Sequence, residues 1–186
     1  MLKSRLSALI ITLLAAVLLT ACAGVTPDDY ADAEPEFRIE DYFDGRVYAW
    51  GMFQSRGGAI ERRFTVDIDG RVDGNQITLD ERFVYDDGET DRRVWEIEKI
   101  DDHTYEGTAG DIVGVATGQR DGNALNWRYT LALDVGERTW NLQFDDWMVL
   151  VDEDTLINTA EVTKFGVRVG TVTLFFRRAD AEGLAP

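Results

Sequence analysis

The stretch Ile60-Glu61-Arg62-Arg63-Phe64-Thr65-Val66-Asp67-Ile68 decides the fold class. Apolar and polar residues alternate along it with period two, and that spacing sorts side chains onto two faces only when the backbone is extended. Asp69-Gly70 and Asp73-Gly74 follow, and they are expected to bracket a turn because Gly accepts positive φ and Asp bonds to nearby backbone. The next segment places Ile77, Leu79, Phe83 and Tyr85 on one face and closes at Asp86-Asp87-Gly88. Working outward, the same alternation predicts strands over Arg46 to Phe53, Arg92 to Lys99, Thr104 to Thr108, Ile112 to Gln119, Ala124 to Leu133, Arg138 to Leu150, Leu156 to Lys164 and Arg168 to Arg177. Only the short acidic stretch around Ile39 to Tyr42 reads as helical.

Successive hairpins without long crossovers predict an all-β fold, an antiparallel up-and-down meander barrel of about 8–10 strands. Barrels of about eight strands are just wide enough to be filled by side chains or to hold one small ligand. Phe64, Phe83, Trp127, Tyr129, Trp140, Phe144 and Phe175 fall on the apolar faces of their segments and supply the bulk of an interior. The opposite faces carry Glu61, Arg63, Asp67, Asp80, Arg82 and Arg128, which argues against a barrel that spans an outer membrane with an apolar outer band.

Upstream of this body, Lys3 and Arg5 precede an apolar stretch from Leu6 to Leu19, in the pattern of an export signal rather than a permanent membrane span. The only Cys of the 186 residues stands in Leu19-Thr20-Ala21-Cys22, which resembles the lipobox of bacterial lipoproteins. The resemblance implies cleavage before Cys22 and its acylation. It divides the chain into a signal peptide (1–21), a lipidated N-terminus with an acidic tether (22–36), a barrel domain (37–178) and a C-terminal tail (179–186). Several acyl chains would give stable anchoring, since each buried CH₂ adds ~0.8 kcal/mol. The tether, with Pro27, Pro35 and five acidic residues, is expected to be flexible and to span roughly 20 Å. By the same analogy Ala23, rather than Asp, favours the outer membrane of a Gram-negative envelope, with the periplasmic face preferred.

The chain has 19 Lys and Arg against 35 Asp and Glu, a formal net charge of −16. Loss of Lys3 and Arg5 with the leader would make the remainder more acidic still. Phosphate backbones and anionic lipid surfaces are bound by Lys and Arg, so nucleic acid is excluded as a partner and membrane attachment must come from the acyl chains. A cationic envelope protein is the kind of macromolecular partner this surface would suit.

Asp44-Gly45-Arg46-Val47-Tyr48-Ala49-Trp50-Gly51, Arg63-Phe64-Thr65-Val66, Phe83-Val84-Tyr85-Asp86-Asp87-Gly88, Arg92 with Val94 and Trp95, Tyr105-Glu106-Gly107-Thr108-Ala109, Trp127-Arg128-Tyr129, Phe144-Asp145-Asp146-Trp147-Met148 and Phe165-Gly166 together resemble an uncharacterised bacterial lipoprotein family, domain of unknown function 3833. That family brings no activity with it. The organisation is also similar to the lipocalin-like (calycin) barrels, in which a Trp on the first strand closes one barrel end against an Arg of the last. That second resemblance implies such a role for Trp50 and Arg177, although the usual Gly-x-Trp spacing is missing.

No catalytic constellation stands out. His103, the only histidine, falls in the turn Asp101-Asp102-His103 and reads as solvated. Asp67, Asp69 and Asp73 lack the Gly and oxygen ligands of a calcium loop, because Arg71 and Val72 occupy those places, and they read as turn residues. No cofactor or metal is expected. Three charged residues share the parity of apolar neighbours: Arg62 with Ile60 and Phe64, Glu81 with Leu79 and Phe83, and Asp146 with Phe144 and Met148. A buried charge is costly unless paired, so these three either meet inside the barrel or, slightly preferred, a bulge at Asp145-Asp146 turns both acids to solvent. The leading expectation is a non-enzymatic barrel that binds or escorts a small apolar or amphipathic ligand such as a lipid or fatty acid. Its interior would be formed by Arg62, Phe64, Glu81, Phe83, Trp127, Tyr129, Trp140, Phe144 and Asp146. The alternatives are an interaction module with a filled core and an acidic docking surface, and, third, a carboxylate-dependent hydrolase.

Overall fold

A computed structural model describes residues 24–136 and 138–179. The predicted leader, Cys22 and the tail beyond Ala179 lie outside the described residues. Ten strands follow one another: β1 (Gly45–Ser55), β2 (Ile60–Asp73), β3 (Gln76–Tyr85), β4 (Thr90–Lys99), β5 (Thr104–Thr108), β6 (Ala116–Asp121), β7 (Ala124–Val135), β8 (Arg138–Leu150), β9 (Thr155–Lys164) and β10 (Val167–Arg178). Each pairs antiparallel with its neighbour in sequence, and β1 pairs with β10 from Val47↔Arg178 to Ser55↔Gly170, so the sheet closes on itself without an edge. The expected up-and-down barrel is therefore the fold. Outside an apolar patch around Trp50 and Phe175, the outer face is crossed by ion pairs such as Arg92–Asp80 at 2.8 Å and Arg128–Asp145 at 3.4 Å. Exposed pairs of this kind contribute little stability individually, about 0–1 kcal/mol, but they keep the wall wettable.

The turn expected at Asp69-Gly70 is not one. β2 runs straight through it and pairs Gly70 with both Gly45 and Leu79, and the chain reverses only after Asp73. Asp67 and Asp69 are accordingly strand residues, bonded to Arg46 and Arg71 on the outer face. Gly70 is required by contact: a β-carbon there would lie 1.7 Å from the Phe43 carbonyl oxygen. The first part of the segment expected as a strand from Ile112 is a loop, with a single bridge from Ile112 to Leu131.

The acidic stretch expected as a free tether is folded from Thr26 onward. Pro27–Tyr30 forms one turn of 3₁₀-helix capped by Thr26 and Asp29, with Pro27 buried and the Tyr30 ring 6.0 Å from Trp147. The short helix α1 (Ile39–Tyr42) then enters one end of the barrel. Apolar Phe37, Ile39, Tyr42 and Phe43 outweigh the acidic residues between them and draw the segment inward, and all four are buried. They pack on Ile68, Ile77, Ile97, Leu125, Leu156 and Phe176 and form a plug. Polar bonds tie the plug down. Arg120, 4% exposed, donates to the Phe37 carbonyl (3.0 Å), the Asp102 carbonyl (2.7 Å) and the Glu36 carboxylate (2.6 Å). The Tyr105 hydroxyl donates to Glu40 at 2.6 Å, and Lys99 lies 2.8 Å from the same carboxylate. Burial works to raise the Glu40 carboxyl, but the bonds from Lys99 and Tyr105 outweigh it and hold it below the usual range.

Candidate functional site

A ten-stranded barrel is wider than the eight-stranded kind that side chains just fill, and this one keeps a space of about 310 Å³ in its interior. The plug supplies its floor through Ile39 and Phe43, and its walls come from the inward rows of the strands. Burial follows the barrel axis. Val66, Ile68, Ile77, Leu79, Trp95 and Ile97, nearer the plug, are buried, whereas Phe64, Phe83, Tyr129, Phe144 and Leu174, farther up the same rows, are only half-buried because they face the space. Leu133 lines the cavity and is also 42% exposed, so the interior reaches solvent at the end opposite the plug.

Aromatic rings make up much of the wall. Trp95 meets Trp127 and Tyr129 edge-on at 5.7 and 5.5 Å, Tyr129 stacks on Phe144 at 4.8 Å, and Phe64 lies 5.9 Å from Phe83. Trp127 can lie flat against the wall because Gly107 and Gly118 face it. A β-carbon at Gly118 would come within 2.3 Å of the indole.

The polar groups of the interior come from alternation in register. β7 and β8 pair without interruption through Trp127↔Asp146 and Arg128↔Asp145, so the bulge preferred from sequence is absent and the two acids take opposite faces. Asp145 points outward to Arg128. Asp146 points inward and is 6% exposed, accepting a hydrogen bond from Asn158 Nδ2. Burial pushes the Asp146 carboxyl up to about 7, against the pull of hydrogen bonds from Asn158 and Tyr129. Glu81 is also inward and is likewise raised to about 7 by burial, with Arg93 opposing and the charges of Asp111 and Asp146 adding to the rise. The same burial, with Asp146 close by, drives the Tyr129 hydroxyl well above its ordinary value.

Glu81 does not meet Arg62, as the sequence had allowed. Its partner is Arg93, 3.9 Å away, whose guanidinium forms a bidentate bond to Asp111 at 3.0 and 2.7 Å. Burial disfavours the Arg93 charge, but these carboxylates more than compensate and keep it protonated. Arg62 lines the cavity near the open end instead. Its Nη2 donates to Asp87 at 3.1 Å and to Glu89, and its guanidinium lies 3.5 Å from the Tyr85 ring centre.

Of the residues expected in the interior, Arg62, Phe64, Glu81, Phe83, Trp127, Tyr129, Phe144 and Asp146 line the cavity. Trp140 does not. It keeps the inward parity but stands past the wall near the end of the β7–β8 hairpin, 37% exposed, with Lys164 Nζ 2.8 Å from its ring centre. The end closure implied for Trp50 and Arg177 is also corrected. Trp50 is on the outer face, paired with Phe175 and 6.0 Å from its ring, and Arg177 pairs with Tyr48 and donates weakly to Thr155 at 3.4 Å. The plug with Arg120 closes the barrel in their place. Arg93 and Asn158 were overlooked although parity marks both, Arg93 with Trp95 and Ile97, and Asn158 with Leu156 and Ala160. Asp111 sits in a loop, where no alternation could have found it.

His103 lies in its turn with Nδ1 3.1 Å from the Arg120 carbonyl oxygen, and it does not line the cavity. Among the described residues no cluster of His, Cys, Asp and Glu has the arrangement of a metal site.

The family model described as a protein of unknown function, DUF3833, matches residues 16–178. No curated protein matches the chain. Among solved structures, the S-type phycobiliprotein lyase CPES from Guillardia theta is similar with a TM-score of 0.56 at 12% identity, covering 86% of this chain and 100% of that one. A protein with unknown function from the DUF3598 family of Nostoc punctiforme is similar with a TM-score of 0.51 at 12% identity, covering 78% of this chain and 51% of that one. At this identity the likeness is one of fold.

Proposed function

The chain belongs to the DUF3833 family, and we propose that it is a binding barrel, one that takes up a single small amphipathic ligand of the lipid class through its open end. The observation that carries this reading is the enclosed, aromatic-lined space of about 310 Å³, floored by a plug and reached by solvent at the other end. Ligand sites are typically concave, mostly apolar and furnished with a few placed polar groups, and they occur in barrel mouths. The Glu81, Arg93, Tyr129, Asp146 and Asn158 set has that character. A filled core, which the interaction-module alternative requires, is at odds with this space.

The same proposal includes the anchor. Cys22 would carry the lipid, and the chain would be held at a bacterial envelope membrane, with the outer membrane favoured by Ala23. Support for this comes from the sequence pattern alone. Since residues from Thr26 are packed on the barrel, an anchor at Cys22 would hold the body close to the bilayer rather than on a long leash.

Native mass spectrometry of the full chain purified from a bacterial envelope, followed by solvent extraction, tests the binding reading. The expected result is a reproducible added mass of an amphipathic small molecule that the extract identifies. A bare mass that stays unshifted after incubation with a lipid panel would refute it. Release of the protein from membranes by a Cys22→Ser substitution is the matching expectation for the anchor.

A further inference from the structure

The polar groups of the cavity are unbalanced, and the imbalance bears on what the ligand's polar end must be. Two carboxyls, Glu81 and Asp146, face the space. Both guanidiniums that line it are already committed to carboxylates, Arg93 to Asp111 and Glu81, and Arg62 to Asp87 and Glu89. Among the described residues no basic group forms an ion pair with Asp146, and Arg93 acts on it only through longer-range attraction. A second observation points the same way. Asn158 is 1% exposed and lines the cavity, its Nδ2 is engaged by Asp146, and its buried Oδ1 has no hydrogen-bond partner. A buried acceptor left unmet is costly, and a donor supplied by a bound group is one way to meet it.

Resting on the binding reading above, we propose that the cavity selects ligands whose polar end is a cationic donor, an ammonium group on an apolar body, and disfavours carboxylate-ended ones such as fatty acids. An ammonium group offers three donors and no acceptor, which suits the Asp146 carboxyl and Asn158 Oδ1 together. At about pH 8, the condition for the titration below, Glu81 and Asp146 are mostly ionised, and a carboxylate in the same place would set a further negative group beside them and leave Asn158 Oδ1 unmet. Two groups oppose this assignment: Arg93, whose charge is held by Asp111 and Glu81, and Arg62, whose Nε is buried without a partner and could receive an anion. Arg62 stands at the open end, stacked on Tyr85 and bonded to Asp87 and Glu89, away from the Asp146–Asn158 pair.

The test is a titration of the full chain with decylamine, decanol and decanoate, followed through the fluorescence of Trp95 and Trp127. Salt at about 0.5 M suppresses attraction to the acidic surface while leaving a buried contact largely intact. Decylamine should bind about tenfold or more tighter than decanoate, with decanol between them. Asp146→Asn should remove most of that advantage and Asp145→Asn, on the outer face, should leave it in place, with Glu81→Gln as a second interior variant should Asp146→Asn fail to fold. Equal binding of all three probes, or tighter binding of decanoate, overturns the selectivity while the binding reading stands. Failure of all three to bind overturns both.

Discussion

Replacing Asp146 by Asn should stabilise the protein, and by an amount that depends on pH. The carboxyl moves from an ordinary value of 3.8 to about 7 in the folded barrel because burial penalises its charged form. A carboxyl raised by folding costs nothing where it is protonated in both states, below about pH 4, and the cost grows as pH rises until it is complete above about pH 7. At about 1.4 kcal/mol per tenfold change in proton affinity, the full cost approaches roughly 4 kcal/mol. Asn is neutral throughout and keeps an oxygen that can accept from Asn158 Nδ2. Urea unfolding curves at about pH 4.5, 6 and 8, read by tryptophan fluorescence, should show the variant ahead by only about 1 kcal/mol at the acid end. The variant should lead by roughly 2–4 kcal/mol at the alkaline end. A difference that stays flat across this range, or a variant that is the less stable at about pH 8, would refute the view that Asp146 is a buried carboxyl without a cationic partner.

Other expectations concern the plug and the wall. Arg120→Ala leaves the Phe37 and Asp102 carbonyls unmet and should cost roughly 3 kcal/mol in chemical denaturation, loosening residues 26–43 first in hydrogen exchange. Phe43→Ala, which empties a buried contact with Phe176 at 5.9 Å, should cost about 3–5 kcal/mol, whereas Trp50→Ala on the outer face should cost well under half of that. The reverse order would restore the end-closing role implied by the lipocalin-like resemblance. Gly118→Ala drives a β-carbon into Trp127 and should destabilise by about 1–3 kcal/mol while weakening ligand uptake, both readable from a shifted Trp127 emission.

The sequence was most informative where alternation is long and uninterrupted. β8 and β5 are legible to the residue, Arg138–Leu150 and Thr104–Thr108, because turn-forming Asp152 and Gly110 follow their ends closely. The same parity places Glu81 and Asp146 on the inside, and it would have placed Arg93 and Asn158 there had it been applied to every polar residue. It misleads at Trp140, since parity assigns a face but not a height along the barrel axis, and Trp140 stands beyond the end of the wall. Asp69-Gly70 carried a turn signature, yet Gly70 answers a different need, room for the Phe43 carbonyl. The plug was the least legible part. Its three buried rings and one aliphatic chain are scattered among Glu36, Arg38, Glu40 and Asp41, and only the tertiary partners Arg120, Tyr105 and Lys99 show why so charged a segment folds inward.

The seam between β1 and β10 sets the order in which this molecule can be completed. The first strand made must wait for the last, and until β10 arrives both β1 and β9 present open edges while the aromatic interior lies uncovered. The phenylalanine that caps the floor, Phe43, also waits for its neighbour Phe176. Edges and apolar surfaces left open in this way invite wrong pairings and proteolysis. A chain cut short anywhere before Val167 therefore cannot hide its incompleteness, and the barrel acts as its own inspection of whether synthesis reached the end.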